Sequence, residues 1–400
     1  MLNIDDNRIA MTITPLLRLA FRPLFLGGTL FSVIAMGWWA YFWLNPVAWA
    51  PYGGPVWWHG HEMLFGFGSA IVVGFLLTAV QAWTGVMGIR GKPLGVLAVC
   101  WLLGRLLLAL GSSLPTWLLV ATDLSFLFFA AVAMAYPVLK VKQWRNLIFV
   151  PMLFVLALLN GASHWGVSNN RPELALQSLH GAVLLITLII AVVGGRVIPF
   201  FTTNATGCER LPPKRRLEVL SVTTISLLVL AAFVGFSRVP AAAMVVLCLI
   251  GALANGWRFL RWGIQYSWGV PLLWSLHLAY AFIPLGLLAL ALYSAGYLAS
   301  ASTALHCFTT GAIGGMILAM ISRVTLGHTG RPLQPPAAMV PAYIFILSGA
   351  VMRVVVPAVW PQYTPWGIAL AGVFWMLAYG IFLIYYGPML LAPRADGRPG

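Results

Sequence analysis

Charge is scarce in this 400-residue chain: 8% of the residues are Asp, Glu, Lys or Arg, and Asp and Glu together number only 8. So little charge excludes a soluble globule, because 61% hydrophobic residues expose more apolar surface than one soluble core can hide. Cysteine is scarce too. Cys100, Cys208, Cys248 and Cys307 show no CxxC spacing, so the chain supports neither a disulfide framework nor covalent haem attachment through CxxCH. Any haem would be held by ligation and packing alone. The opening stretch MLNIDDNRIAMTITPLLRLAF has early acids and no small-residue cleavage site behind a short apolar core, which argues against a removed signal peptide.

What is abundant points to a lipid bilayer as the solvent. Mean hydropathy is +0.93, and the 18 tryptophans accompany long uncharged runs. The net charge of +15 would suggest nucleic acid in a soluble chain. Here the basic residues sit in short loops between apolar runs, where they orient the protein, and no nucleic-acid partner is expected.

Runs of roughly 20 apolar residues are long enough to cross hydrocarbon. About twelve such runs predict an all-α, polytopic membrane protein, with spans near 21–44, 61–82, 94–112, 115–137, 147–165, 173–200, 217–236, 240–257, 270–293, 301–322, 337–357 and 365–391. Eighteen basic residues, from Arg8 to Arg398, then fall on one side, and only Arg171 and Arg238 on the other. The positive-inside rule predicts cytoplasmic N- and C-termini.

This topology places five of the 7 histidines in the outer leaflet. His59 and His61, in WHGHEM, open span 2; His164 ends span 5; His180 and His306 lie at similar depth in spans 6 and 10. His277 lies in the inner half of span 9 and His328 in a cytoplasmic loop. A lone imidazole is often a satisfied packing residue, but several at one depth are better explained by shared ligation.

The spans carrying His61, His180 and His306 each end in Thr-Gly, at Gly85, Gly207 and Gly330. The preceding spans also rhyme, with FRPLFLGG, FVPMLFVL and GVPLLWSL. These rhymes predict three four-helix repeats, 21–146, 147–262 and 270–393, within a single transmembrane domain over 1–400, arranged about a pseudo-threefold axis. The bland reading is chance similarity among spans rich in Gly and Leu.

Imidazole suits haem iron, copper and zinc. Glycines next to the histidines, Gly311 and Gly315 among them, would let a flat macrocycle approach, although small-residue helix packing needs them equally. Arg353, at the outer end of span 11, is placed to hold a haem propionate, to pair with Glu62, or to snorkel. Glu62 is the candidate catalytic acid: it can orient an imidazole, pair with Arg353, or carry protons from the outer face. Arg105 and Asp123 are placed to pair as a structural couple, and Trp57, Trp58 and Trp165 are expected in the outer aromatic belt.

WHGHEMLFGFGSAIVVGFLLTAV followed by WTG, GGRVIPFFT, and LHCFTTGAIGGMILAMISRVTLGHTGRPL together resemble the NnrS family over nearly the whole chain. That resemblance implies a bacterial inner-membrane protein with haem and copper, linked to nitric oxide metabolism, nitrosative-stress resistance and denitrification. The helix plan is also similar to the haem-copper oxidase superfamily, which includes nitric oxide reductases. Carried onto this sequence, that likeness puts haem b between His61 and His306, a copper or second metal on His180, and Arg353 on a propionate. The departures are that span 7 lacks paired histidines, span 10 lacks a second histidine, and span 6 lacks the usual Pro and Tyr. A standard oxygen-reducing centre is therefore not supported, and His59 and His164 are further candidate metal ligands.

Two functional classes follow. One is a redox enzyme or scavenger, resembling nitric oxide reductase, that takes electrons from a membrane or periplasmic donor. The other is a copper or small-solute transporter, which would need polar groups through both leaflets.

Overall fold

A computed structural model describes residues 11–399 apart from Pro46. Among these residues there is no strand, and twelve helices are long and apolar enough to cross a membrane. They are α1 (Phe21–Leu44), α2 (Pro55–Thr84), α3 (Lys92–Ala109), α4 (Thr116–Lys140), α5 (Trp144–Ser168), α6 (Pro172–Thr206), α7 (Arg215–Val234), α8 (Ala241–Leu260), α9 (Pro271–Ser294), α10 (Ala301–His328), α11 (Met339–Val359) and α12 (Pro361–Leu391). The chain is an all-helical multi-pass membrane protein. Lipid replaces water on its flanks, so large apolar side chains such as Leu158 and Leu253 stand 71% and 75% exposed.

Three helices start or stop well away from their expected ends: α10 runs to His328 rather than residue 322, and α2 and α6 show a local reason. α2 starts at Pro55 rather than residue 61, because proline tolerates a first turn whose N–H groups are unpaired anyway. α6 runs past residue 200 to Thr206 because its threonine hydroxyls donate back along the helix, Thr202 to the Ile198 carbonyl at 2.9 Å and Thr206 to Thr202 at 2.8 Å.

Successive spans pack side by side, and α12 closes against α1. Inside this wall stand α2, α6 and α10. Their apolar windows are 83%, 78% and 89% buried, against 33–61% for the other nine. We call the end carrying His59, His164, His180 and His306 the histidine end, and the other the basic end. At the basic end the three inner helices finish alike. Thr84, Thr206 and Thr329 each donate to the carbonyl four residues back, and Gly85, Gly207 and Gly330 follow with φ of 67°, 71° and 73°, where a side chain would be strained.

Two inner helices are wound irregularly. π-helical segments occupy Glu62–Gly68 of α2 and Cys307–Gly314 of α10, each beginning directly after a histidine. Wide turns redirect side chains and occur often at functional sites. Backbone oxygens near the end of each segment accept a side-chain donor: Trp101 Nε1–H to Gly66 at 2.8 Å and the Tyr379 hydroxyl to Gly314 at 2.8 Å.

Candidate functional site

A cavity of about 570 Å³ opens at the histidine end, between the inner helices and α1, α11 and α12. His59, His180, His306 and Arg353 line it, one imidazole from each inner helix. His59 lies flat on the Trp39 indole, with ring centroids 4.2 Å apart and planes 3° apart, and its buried Nδ1 has no hydrogen-bond partner. His180 stacks on Phe236 at 5.8 Å. His306 Nδ1 lies 2.6 Å from the Ser302 carbonyl oxygen. A carbonyl can only accept, so Nδ1 carries a proton, and the neutral form of the ring then has its lone pair on Nε2. Arg353 donates to the Ser302 hydroxyl at 3.2 Å.

Further along the same three helices lies a void of about 60 Å³ with wholly apolar walls, including Ile71, Val72, Ile189, Ile190, Ile317 and Ile321. Among the described residues, none that lines this void is polar.

A second, separate centre sits where α2 meets α3, α4 and α5. His61, Glu62, Arg105, Asp123, Asn160 and His164 are all buried there. His61 Nδ1 is 2.9 Å from Glu62 Oε1, and its Nε2 is 2.8 Å from Asn160 Oδ1 and 3.2 Å from Asp123 Oδ2. His164 Nε2 reaches the same Asp123 Oδ2 at 3.2 Å, and Asn160 Nδ2 donates to it at 2.6 Å. Arg105 pairs with Asp123 Oδ1 and with Glu62 Oε1, the latter at 3.1 Å. Two glycines make the space: a Cβ on Gly66 would stand 2.7 Å from Arg105 Nη1, and one on Gly104 3.1 Å from Asp123 Oδ1. Among the described residues, His61, Asp123 and His164 are the group whose donor atoms, all within 4.8 Å of one another, can share a metal ion.

A family profile described as NnrS protein matches residues 15–394. The chain belongs to the NnrS family. No curated protein matches it.

This NnrS-family geometry regroups the histidines expected from sequence. His59, His180 and His306 border one cavity together with Arg353, whereas the His61 ring turns into the polar cluster with His164. His61 and His306 therefore do not face one another. Glu62 pairs with Arg105 and His61. Gly311 and Gly315 face α9, where added Cβ atoms would meet Phe282 and Ala279, so they serve helix packing. Trp57 and Trp58 are not belt residues: they are 4% and 8% exposed, and Trp57 stacks on His61 at 4.4 Å, while Trp165, 61% exposed, does suit the belt. His277 accompanies the Thr202 hydroxyl at 3.0 Å, far from either centre, and His328 packs on Phe21.

Asn160, which joins His61 to Asp123, has no motif that marks it in the sequence, where Arg105 and Asp123 are legible only as a pair. The weaker signal is the polar set Asn160, Ser163 and His164 at i, i+3 and i+4 spacing, which places one polar stripe on α5 opposite the lone acid of α4. In the basic half, Arg258 is paired bidentately with Glu218, at 3.0 and 2.8 Å, and bonded to Tyr280 at 2.8 Å. Its hydrogen bonds are internal to α6–α9, which makes it a structural anchor.

Proposed function

We propose that this NnrS-family protein holds a b-type haem in the histidine-end cavity and acts there in nitric oxide metabolism. The carrying observation is the His306 ring, whose Nδ1 proton faces the Ser302 carbonyl, so the neutral ring has its lone pair on Nε2, beside a cavity that His59 and Arg353 also line. The residues present fit the group. A volume of about 570 Å³ lies within the usual ligand range, the walls are mostly apolar, and the unpartnered His59 Nδ1 offers a further donor. His306 and either His59 or His180 would hold the iron, and Arg353 would pair with a propionate. Haem supplies an iron that binds nitric oxide and exchanges single electrons. The protein's part is to fix the imidazoles, exclude water with Trp39, Phe67 and Trp375, and offset propionate charge.

Orientation follows from charge. With the basic end toward the cytoplasm by the positive-inside rule, the cavity faces the periplasmic side of a bacterial inner membrane, within reach of a membrane or periplasmic electron donor. The apolar void beneath it favours a confined redox site over a transport path, since solute or copper crossing needs polar groups along the axis. Haem content by pyridine haemochrome, in the wild type and in His59→Ala, His61→Ala and His306→Ala, tests the assignment. Loss in His306→Ala with retention in His61→Ala is expected. Full occupancy in both would overturn it.

A further inference from the structure

The cluster on the other side of α2 has a hydrogen-bonding surplus that the cavity does not explain. A neutral imidazole carries one N–H. Both ring nitrogens of His61 nevertheless face oxygens: Nδ1 meets the Glu62 carboxyl at 2.9 Å, and Nε2 meets Asn160 Oδ1 at 2.8 Å and Asp123 Oδ2 at 3.2 Å. Asn160 cannot turn its amide to help, because its Nδ2 is committed to Asp123 at 2.6 Å. Whichever neutral tautomer forms, one lone pair points at an oxygen. Charge shows the same deficit, since two carboxyl groups face one guanidinium in a site where every member is at most 4% exposed. Glu62 Oε2 is also buried without a partner. The site calls for one more positive charge, supplied either by a proton on His61 or by a metal ion.

The geometry points to a divalent first-row metal ion bound by His61 Nε2, Asp123 Oδ2 and His164 Nε2. Donors about 2.0–2.2 Å from an ion at the tetrahedral angle stand roughly 3.3–3.6 Å from one another. Both imidazole nitrogens lie 3.2 Å from the shared carboxylate oxygen, close to that edge, and the three atoms lie within 4.8 Å of one another. The outward sides of the two rings are equipped for the same role. A ligating histidine gives its other N–H to a carboxylate or similar acceptor, which fixes its tautomer. Glu62 stands behind His61, and the Tyr52 hydroxyl stands 3.4 Å behind His164 Nδ1. Two imidazoles and a carboxylate, with no thiolate, suit ions of the zinc or ferrous type.

This site is independent of the haem reading, and one set of samples separates the two. Full-length protein in detergent is stripped with a chelator, equilibrated with Zn²⁺, desalted, and analysed for zinc by mass spectrometry and for haem by pyridine haemochrome. The wild type should bind about one equivalent of zinc, with affinity falling on the order of tenfold or more in Asp123→Asn and His164→Gln. His306→Ala should keep the zinc whatever happens to the haem. Zinc uptake that is absent in the wild type, or equal in Asp123→Asn and His164→Gln, overturns the proposal. Should those variants fail to insert, the wild type alone decides: Zn²⁺ must raise the melting temperature of the stripped protein, and an unchanged melting temperature rejects the site.

Discussion

His59 and His61 are two residues apart on α2 yet serve different chambers: His59 stacks on Trp39 at the edge of the cavity, whereas His61 is clamped between Glu62 and Asn160. Two residues are about 200° around an α-helix, so one helix supplies both centres from opposite faces. The π segment that starts at Glu62 widens the turn directly below them.

Arg353 tests the electrostatic side of the cavity. Replacement by Met should weaken haem retention on the order of tenfold, and Lys should fall between, because an ammonium keeps the charge but lacks the guanidinium fork. Haemin titration of the stripped variants measures this. Equal affinity in all three proteins would remove Arg353 from the site.

Arg105→Ala should cost about 3–5 kcal/mol, because it leaves Asp123 and Glu62 buried without their cation. Glu173→Ala, which breaks an exposed contact with Arg238 at 3.7 Å, should change stability by less than about 1 kcal/mol. Thermal unfolding in detergent compares the two. Equal effects would contradict the reading of the cluster as a tightly coupled unit.

The spans, their number and their charge asymmetry are legible because hydrocarbon thickness fixes run length and loops gather the basic residues. Depth along a helix is legible for the same reason, which is how five histidines come to share one end. Rotation about the helix is not. An α-helix would separate His59 from His61 by a predictable angle, but which side faces α5 and which the cavity depends on neighbours far away in sequence, and π segments shift the register below. Hence His61 carries the more conspicuous motif, while His59 borders the cavity. Gly311 and Gly315 look like cofactor glycines in sequence and prove to be contacts with Phe282 and Ala279.

Tyr379→Phe removes the hydroxyl that caps the Gly314 carbonyl while keeping the ring against Trp375, at 4.7 Å between centroids. The buried carbonyl then loses its side-chain donor, for a cost of about 1–3 kcal/mol. The unfolding midpoint should drop accordingly, and an unchanged midpoint would mean that the π segment of α10 is held by packing alone.

At the basic end, the Arg394 guanidinium holds the Asp396 carboxyl well below the usual carboxylate range, at 2.5 Å between Arg394 Nη2 and Oδ2. A lowered folded-state value means the contact is complete above the ordinary range and is lost only as pH falls through the lowered value. The Ala395 N–H, bonded to Thr329 at 3.0 Å, should stay protected from hydrogen exchange from neutral pH down to about 4. Loss of protection between pH 7 and 5 would show that the tail is not pinned by this pair.

The most direct test of the account is the reduced-minus-oxidised visible spectrum of the detergent-purified protein, recorded before and after adding nitric oxide. Sharp b-type bands that shift with nitric oxide, and that vanish in His306→Ala but persist in His61→Ala, are the predicted result. A colourless protein that takes up no haemin would contradict the account and return the cavity to a solute-binding role.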